Sequence, residues 1–173
     1  MNHIKSILLM LSLIIIVISC KSQEKSLTIE EAKLLCDKVE VMYTNANEEK
    51  VKEILDSAYV LYSPLFPTAA RGIDAFAYNI KSNLRSFPDF KFTIDSFFVK
   101  DYNIYSFWTK TGTNSGPLGR MPSTVKSIDV SGFTISKVKD GKIIEEHTYW
   151  NVLEFYTQLG FQITPLEVEE ENK

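Results

Sequence analysis

Four polar side chains near the end of the chain, Glu145, His147, Tyr149 and Asn151, occupy every second position of one segment. If that segment is a strand, all four share a face, and Thr148 and Trp150 share the other. An imidazole exchanges protons near neutral pH. A carboxylate beside it can take up a proton, and a phenol or an amide can hydrogen-bond a developing oxyanion. The set could therefore do acid–base chemistry on a carbonyl compound, with His147 as base, Asn151 or Tyr149 holding the oxyanion and Glu145 as the reserve proton acceptor. His147 and Asn151 would lie roughly 13 Å apart along such a strand. A lone histidine on a strand is also at home as a hydrogen-bonded wall or core residue, and that alternative stays open.

Other chemistries have no support in the spacing. There is no H-E-x-x-H, no C-x-x-C and no glycine-rich phosphate loop, and Ser131-Gly132 lacks the glycine context of a nucleophile elbow. Neither a metal site nor a cofactor is expected. Residues 7–18 are apolar except for Ser12, follow Lys5 and run into Val17-Ile18-Ser19-Cys20. That run is short for a bilayer span and fits the core of a secretory signal. Its end resembles a lipobox. Residues 1–19 are therefore read as a lipoprotein signal peptide, and residues 20–26 as an acylated cysteine and tether reaching roughly 20 Å. Acylation of Cys20, with palmitate for example, would make the lipid bilayer a partner and place the domain in the cell envelope of a bacterium. Cys36 then has no intrachain partner and is read as a small buried apolar residue. Loss of Lys5 takes the formal charge from -3 to -4, an acidic balance that argues against nucleic acid as a partner.

The elements that must position these residues follow from periodicity. Thr28 and Glu31 read as a capping box ahead of a helical stripe at Ala32, Leu35, Cys36, Val39, Met42 and Tyr43. A short helix with Val51, Ile54 and Leu55 follows, then a β-prone stretch at 57–65. Ile73, Phe76, Ala77, Ile80 and Leu84 mark a third helix, ended by Phe87-Pro88-Asp89. From Lys91 the period becomes strand-like, with strands expected at 92–99, 104–113, 125–138 and 142–150. Asp140-Gly141 is the hairpin between the last two. Residues 152–159 read as a closing helix. Helices first and an antiparallel meander after them define an α+β layer fold, with the domain at 27–163 and an acidic tail at 164–173.

In order along the chain stand Gly72-Ile-Asp-Ala-Phe76, Phe87-Pro88-Asp89, Gly112-Thr113 with Gly116, Pro122-Ser-Thr-Val-Lys126, Gly132, Asp140-Gly-Lys142, Glu145-Glu-His-Thr-Tyr-Trp-Asn151 and Gln158-Leu-Gly160. Together they resemble the SnoaL-like polyketide cyclase family of the NTF2-like superfamily, over roughly residues 30 to 161. The resemblance implies an α+β cone in which a curved antiparallel sheet wraps over the helices and encloses an apolar pocket. It further implies ring closure by aldol condensation without metal or cofactor, using a pocket carboxylate, and dimers of the kind common in the superfamily, so a homodimer is a candidate assembly. A frequent family ending, Glu-x-Trp-x-x-x-Asp, corresponds here to a segment with His147 at the Trp and Asn151 at the Asp. An amide cannot take a proton at neutral pH. Val125 stands where the family loop has glycine. Carrying over the family orientation turns His147, Tyr149, Asn151 and Glu145 into the pocket, with Trp108 and Tyr59 as aromatic lining. Two functions are then expected: a pocket for a small apolar or aromatic molecule with the family chemistry degenerate, or a cyclase- or isomerase-type enzyme using His147. A structural role with the pocket incidental is a third.

Overall fold

The computed structural model describes residues 26–44, 48–162 and 164. The signal segment, Cys20, most of the tether and the acidic tail beyond residue 164 lie outside the described residues. Helix α1 (Ile29–Thr44) starts at the capping box: Glu31 N donates to Thr28 Oγ1 at 3.2 Å, and Thr28 N donates to Glu31 Oε2 at 2.9 Å. These bonds satisfy donors that a helix start otherwise leaves open. The stripe Ala32, Leu35, Cys36, Val39 and Met42 is buried.

Helix α2 (Glu48–Ile54) runs directly into β1 (Leu55–Tyr62). A two-residue strand, β2 (Ala70–Arg71), precedes α3 (Ile73–Ser86); β2 is too short to leave a periodic signal in sequence. The meander follows as β3 (Lys91–Lys100), β4 (Asn103–Thr113), β5 (Ser127–Lys139) and β6 (Lys142–Trp150), closed by α4 (Val152–Gln158). The six strands form one curved sheet in the order β2-β1-β6-β5-β4-β3. β1 and β6 are parallel and every other neighbouring pair is antiparallel.

Alternation gives the sheet an inner face turned to α1 and α3. On β4 the inner residues are Ile104, Ser106 and Trp108, all buried. Three register shifts interrupt the ladders, between Leu55 and Val60 on β1, between Ile94 and Ser96 on β3, and where β6 meets β5. The last decides which side chains of β6 look inward. Val138 pairs with Ile143 and Lys137 with Glu145, so Ile144 has no partner across the ladder. One extra residue reverses the parity of everything after it. Counted from the buried Ile143, plain alternation would turn 145, 147 and 149 inward. After the bulge, Glu146, Thr148 and Trp150 take the inner face instead.

Candidate functional site: a tryptophan-walled cavity with one amine

The register of three strands builds the wall. Trp108 of β4 and Trp150 of β6 both pair with Gly132 of β5, which lies between them. A Cβ on Gly132 would come within 2.3 Å of the Trp108 ring. Glycine therefore lets the Trp108 indole lie over the strand, where its Nε1 donates to Thr134 Oγ1 at 2.9 Å. Thr134 in turn shares a hydrogen bond with Thr148 at 3.0 Å. The wall is thus fixed by packing and by a polar chain running across β4, β5 and β6.

Between this wall and α3 is a cavity of about 140 Å³. Helix α1 contributes Tyr43 and β3 contributes Phe92; α3 contributes Phe76, Ile80, Asn79 and Asn83; the loop after β1 contributes Leu65 and Phe66. Among the described residues lining it, Lys110 is the one lysine, arginine, histidine or carboxylate. Its Nζ lies 3.1 Å from the centroid of the Trp150 ring and 5.5 Å from that of Trp108. Burial pulls the Lys110 ammonium down from 10.5 to about 7. The face of Trp150 works the other way, since an aromatic face attracts a cation by up to about 2 kcal/mol when both are desolvated. The drop to about 7 corresponds to about 5 kcal/mol. Burial therefore wins, and the amine loses its proton far more readily than an exposed lysine does.

Deeper in the cone is a second void of about 20 Å³, room for a single water. Tyr43, Phe92 and Thr134 border both spaces. The deeper void holds Glu146, which is buried and accepts hydrogen bonds from the Tyr59 hydroxyl at 2.5 Å and the Ser136 hydroxyl at 2.6 Å. Burial pushes the Glu146 carboxyl up, against the two hydrogen bonds, which favour its charged form. Burial likewise pushes the Tyr43 and Tyr59 phenols up, and the Cys36 thiol up to about 11.

Of the residues singled out from sequence, Trp108 is in the cavity wall. The others are elsewhere. His147 and Glu145 face the outer side of the sheet, their Nε2 and Oε1 atoms 3.2 Å apart and both side chains 38 % exposed. The His147 ring stacks on Tyr62 at 4.4 Å between centroids. With Tyr149 it borders an open depression of about 330 Å³, edged by Pro64 and Pro67. The placement of His147, Glu145 and Tyr149 in the inner pocket is therefore corrected, and the β6 bulge is the reason. Asn151 is also outside the cavity: it caps α4, with Oδ1 accepting from Glu154 N at 3.0 Å. Tyr59 is fully buried, edge-on to Phe76 and bonded to Glu146, without lining the larger cavity. The residues missed were Lys110, Trp150, Thr134, Thr148 and Glu146. Lys110 did leave a signal, being in phase with Ile104 and Trp108 on one strand face, where a lysine is out of place unless it serves a cavity.

An α+β cone with its cavity between a curved sheet and N-terminal helices defines an NTF2-like domain. The sequence matches the SnoaL-like polyketide cyclase family over residues 33–159, and the chain belongs to that family. TsrD from Streptomyces laurentii superposes with a TM-score of 0.69 at 20% identity, covering 78% of this chain and 98% of TsrD. A protein from Jannaschia sp. CCS1 assigned as a SnoaL-like polyketide cyclase gives 0.68 at 18% identity, covering 82% and 100%. One from Acidithiobacillus ferrooxidans assigned as a polyketide cyclase gives 0.68 at 22%, covering 79% and 98%. At these identities the likeness is one of fold. No curated protein matches the chain.

Proposed function

We propose that this chain is an exported, lipid-anchored protein that holds a small, mostly apolar molecule in the cavity of its SnoaL-like domain. The observation behind the reading is the cavity of about 140 Å³ walled by two tryptophans and open to one amine. Its size is comparable with the ~150 Å³ cavities that take up benzene-sized molecules. On this reading Cys20 carries the acyl group and a tether of about six residues holds Leu27 within roughly 20 Å of the bilayer. The family's carboxylate chemistry is degenerate, because Asn151 offers an amide and spends it on a helix cap. A cofactor-independent cyclase or isomerase is the second reading. Its base would be the Lys110 amine, which faces the cavity, rather than His147.

The binding reading is tested with the protein's own reporters, since both of its tryptophans stand in the cavity wall. Titration with benzyl alcohol should shift their emission and raise Tm. Saturation at 100 times Kd adds about 2.7 kcal/mol, which is roughly 5–10 °C for a domain of this size. His147→Ala should leave both responses unchanged. Unmoved emission across a panel of compact aromatic and alicyclic probes would overturn the reading. For the anchor, metabolic labelling with an alkyne fatty acid should tag the chain, and Cys20→Ser should abolish the tag. A second copy is proposed to seat on the outer face of the sheet. There Phe98 stacks on Tyr105 and Phe107 packs on Phe133, with Phe98 and Phe107 half exposed. A two-fold axis would lay this ring row on itself. Phe107→Lys should halve the mass seen in sedimentation; a monomeric parent protein refutes the idea.

A further inference from the structure

The Lys110 side chain has a setting that ligand packing alone does not require. Its Nζ is enclosed by aromatic rings: Trp150 at 3.1 Å, and Trp108 and Phe155 each at 5.5 Å to the centroid. Burial is the one cause acting on its proton affinity, with no carboxylate contributing. An amine held for charge alone would be paired or solvated. An amine held for nucleophilic attack needs the reverse: a free lone pair, a dry apolar wall and room for an electrophile. The cavity supplies that room beside Lys110, and desolvation is a recognised way of activating lysine.

We infer that Lys110 forms a reversible imine with a compact aldehyde or ketone bound in the cavity, so that this protein captures carbonyl compounds covalently. The inference rests on the binding reading above and names the ligand class it leaves open. In the step, the Nζ lone pair bonds to the carbonyl carbon and the C=O π pair moves to oxygen. The proton lost by nitrogen reaches that oxygen through water at the cavity mouth, giving a carbinolamine. The nitrogen lone pair then forms the C=N bond as the C–O bond breaks. The oxygen takes a second proton from that water and leaves as water, and the remaining N–H proton returns to replace it, leaving the neutral imine. No oxidant, metal or cofactor enters the balance. Thr148, Asn79 and Asn83 line the same space and supply hydroxyl and amide groups to the departing oxygen. Tyr43 is the other titratable side chain on the lining. It keeps its proton because burial pushes it up, and Glu146 stands beyond it in the deeper void.

The test uses the full chain with benzaldehyde and cyanoborohydride at about pH 7.5, followed by intact mass and peptide mapping. Exposed lysines are almost wholly ammonium there. Trapping at Lys110 should therefore outrun that at exposed lysines by at least about tenfold, and the N-terminal amine is read separately on its own peptide. Lys110→Met should remove that label alone. If the variant fails to fold, mapping on the parent chain still decides. Benzyl alcohol, of the same shape but without a carbonyl, is the parallel probe, followed by tryptophan emission. Binding of benzyl alcohol with Lys110 labelled no faster than exposed lysines overturns the imine and leaves the cavity reading standing. Absence of Lys110 trapping together with unmoved emission across the whole probe panel overturns both.

Discussion

Replacing Lys110 by Met should make this protein more stable, and by an amount that depends on pH. In the folded state burial holds the Lys110 ammonium near 7, against 10.5 when exposed. Between those values the unfolded chain binds a proton that the folded chain does not, so stability rises with pH there. Each pH unit in the window is worth about 1.4 kcal/mol, and the whole of it about 5 kcal/mol. The Trp150 face returns up to about 2 kcal/mol to the charged form, leaving a penalty of roughly 3–5 kcal/mol at and below neutrality. Met has nearly the same length, carries no charge and packs well on aromatic rings. The variant should therefore exceed the parent protein by about 3 kcal/mol at neutral pH and converge on it near pH 10. In urea, followed by tryptophan emission, that is a midpoint higher by at least about 1 M at pH 7. Taking the difference between the two proteins cancels the opposite trend from Glu146. That carboxyl is pushed up in the fold, so its contribution is lost as pH rises from its unfolded value. A constant difference from pH 7 to pH 10, or a variant less stable at pH 7, would show that the amine is solvated and would remove the basis for its reactivity.

Gly132→Ala should collapse the cavity wall, because its Cβ would fall 2.3 Å from the Trp108 ring. We expect a loss of about 1–3 kcal/mol and no emission response to benzyl alcohol, both read by thermal melts with and without the probe. Val125→Gly should stabilise by about 1 kcal/mol. Val125 sits at φ 56 with 75% of its surface exposed, so glycine relieves strain and gives up little packing; a lower Tm would refute this. Asn151→Ala should cost about 1 kcal/mol through the lost cap on α4, while Asn151→Asp should retain it and leave probe binding unchanged. Altered probe affinity in Asn151→Asp would place that side chain in the cavity after all.

Helix periods, the capping box at Thr28 and the strand runs were legible because each is local: burial on one face writes itself directly into spacing. The site was legible only in part. Trp108 and Lys110 are on β4, whose alternation is unbroken from Ile104 to Gly112, so their shared face follows from counting. β6 contains a bulge at Ile144, and no residue type there announces it. A one-residue slip exchanges the inner and outer sets completely. Alternation separates Glu145, His147 and Tyr149 from Thr148 and Trp150; the family orientation points the first set inward, whereas the bulge that follows the buried Ile143 turns the second set in. The strand β2 and the pairing of Trp108 with Trp150 across Gly132 depend on long-range register, which the order of residues does not contain. Val125 illustrates a different limit. The loop keeps a left-handed residue where the family has glycine, because backbone bonds on either side hold it: Val125 N donates to Asn114 O and Asn114 N to Lys126 O.

Burial moves a hidden amine and a hidden carboxyl in opposite directions, Lys110 down and Glu146 up. Both shifts favour the uncharged form of the group, and the sign of a ligand's charge should set how its capture responds to pH. Benzoate has the shape of benzaldehyde but is anionic, so it needs the Lys110 ammonium. Its affinity should fall by up to about tenfold for each pH unit above the amine's titration. Imine formation with benzaldehyde needs the free amine, so trapping at Lys110 should rise through that same interval. Emission of the two tryptophans reads the first and peptide mapping reads the second. A Glu146→Gln background removes the buried carboxyl from the readout, and Tyr43 keeps its proton because burial pushes it up. Opposite slopes that cross in one pH interval require a single group that is a charge for one ligand and a nucleophile for the other. If benzoate binding and benzaldehyde trapping move in the same direction with pH, that group is not Lys110, and the imine has to be abandoned.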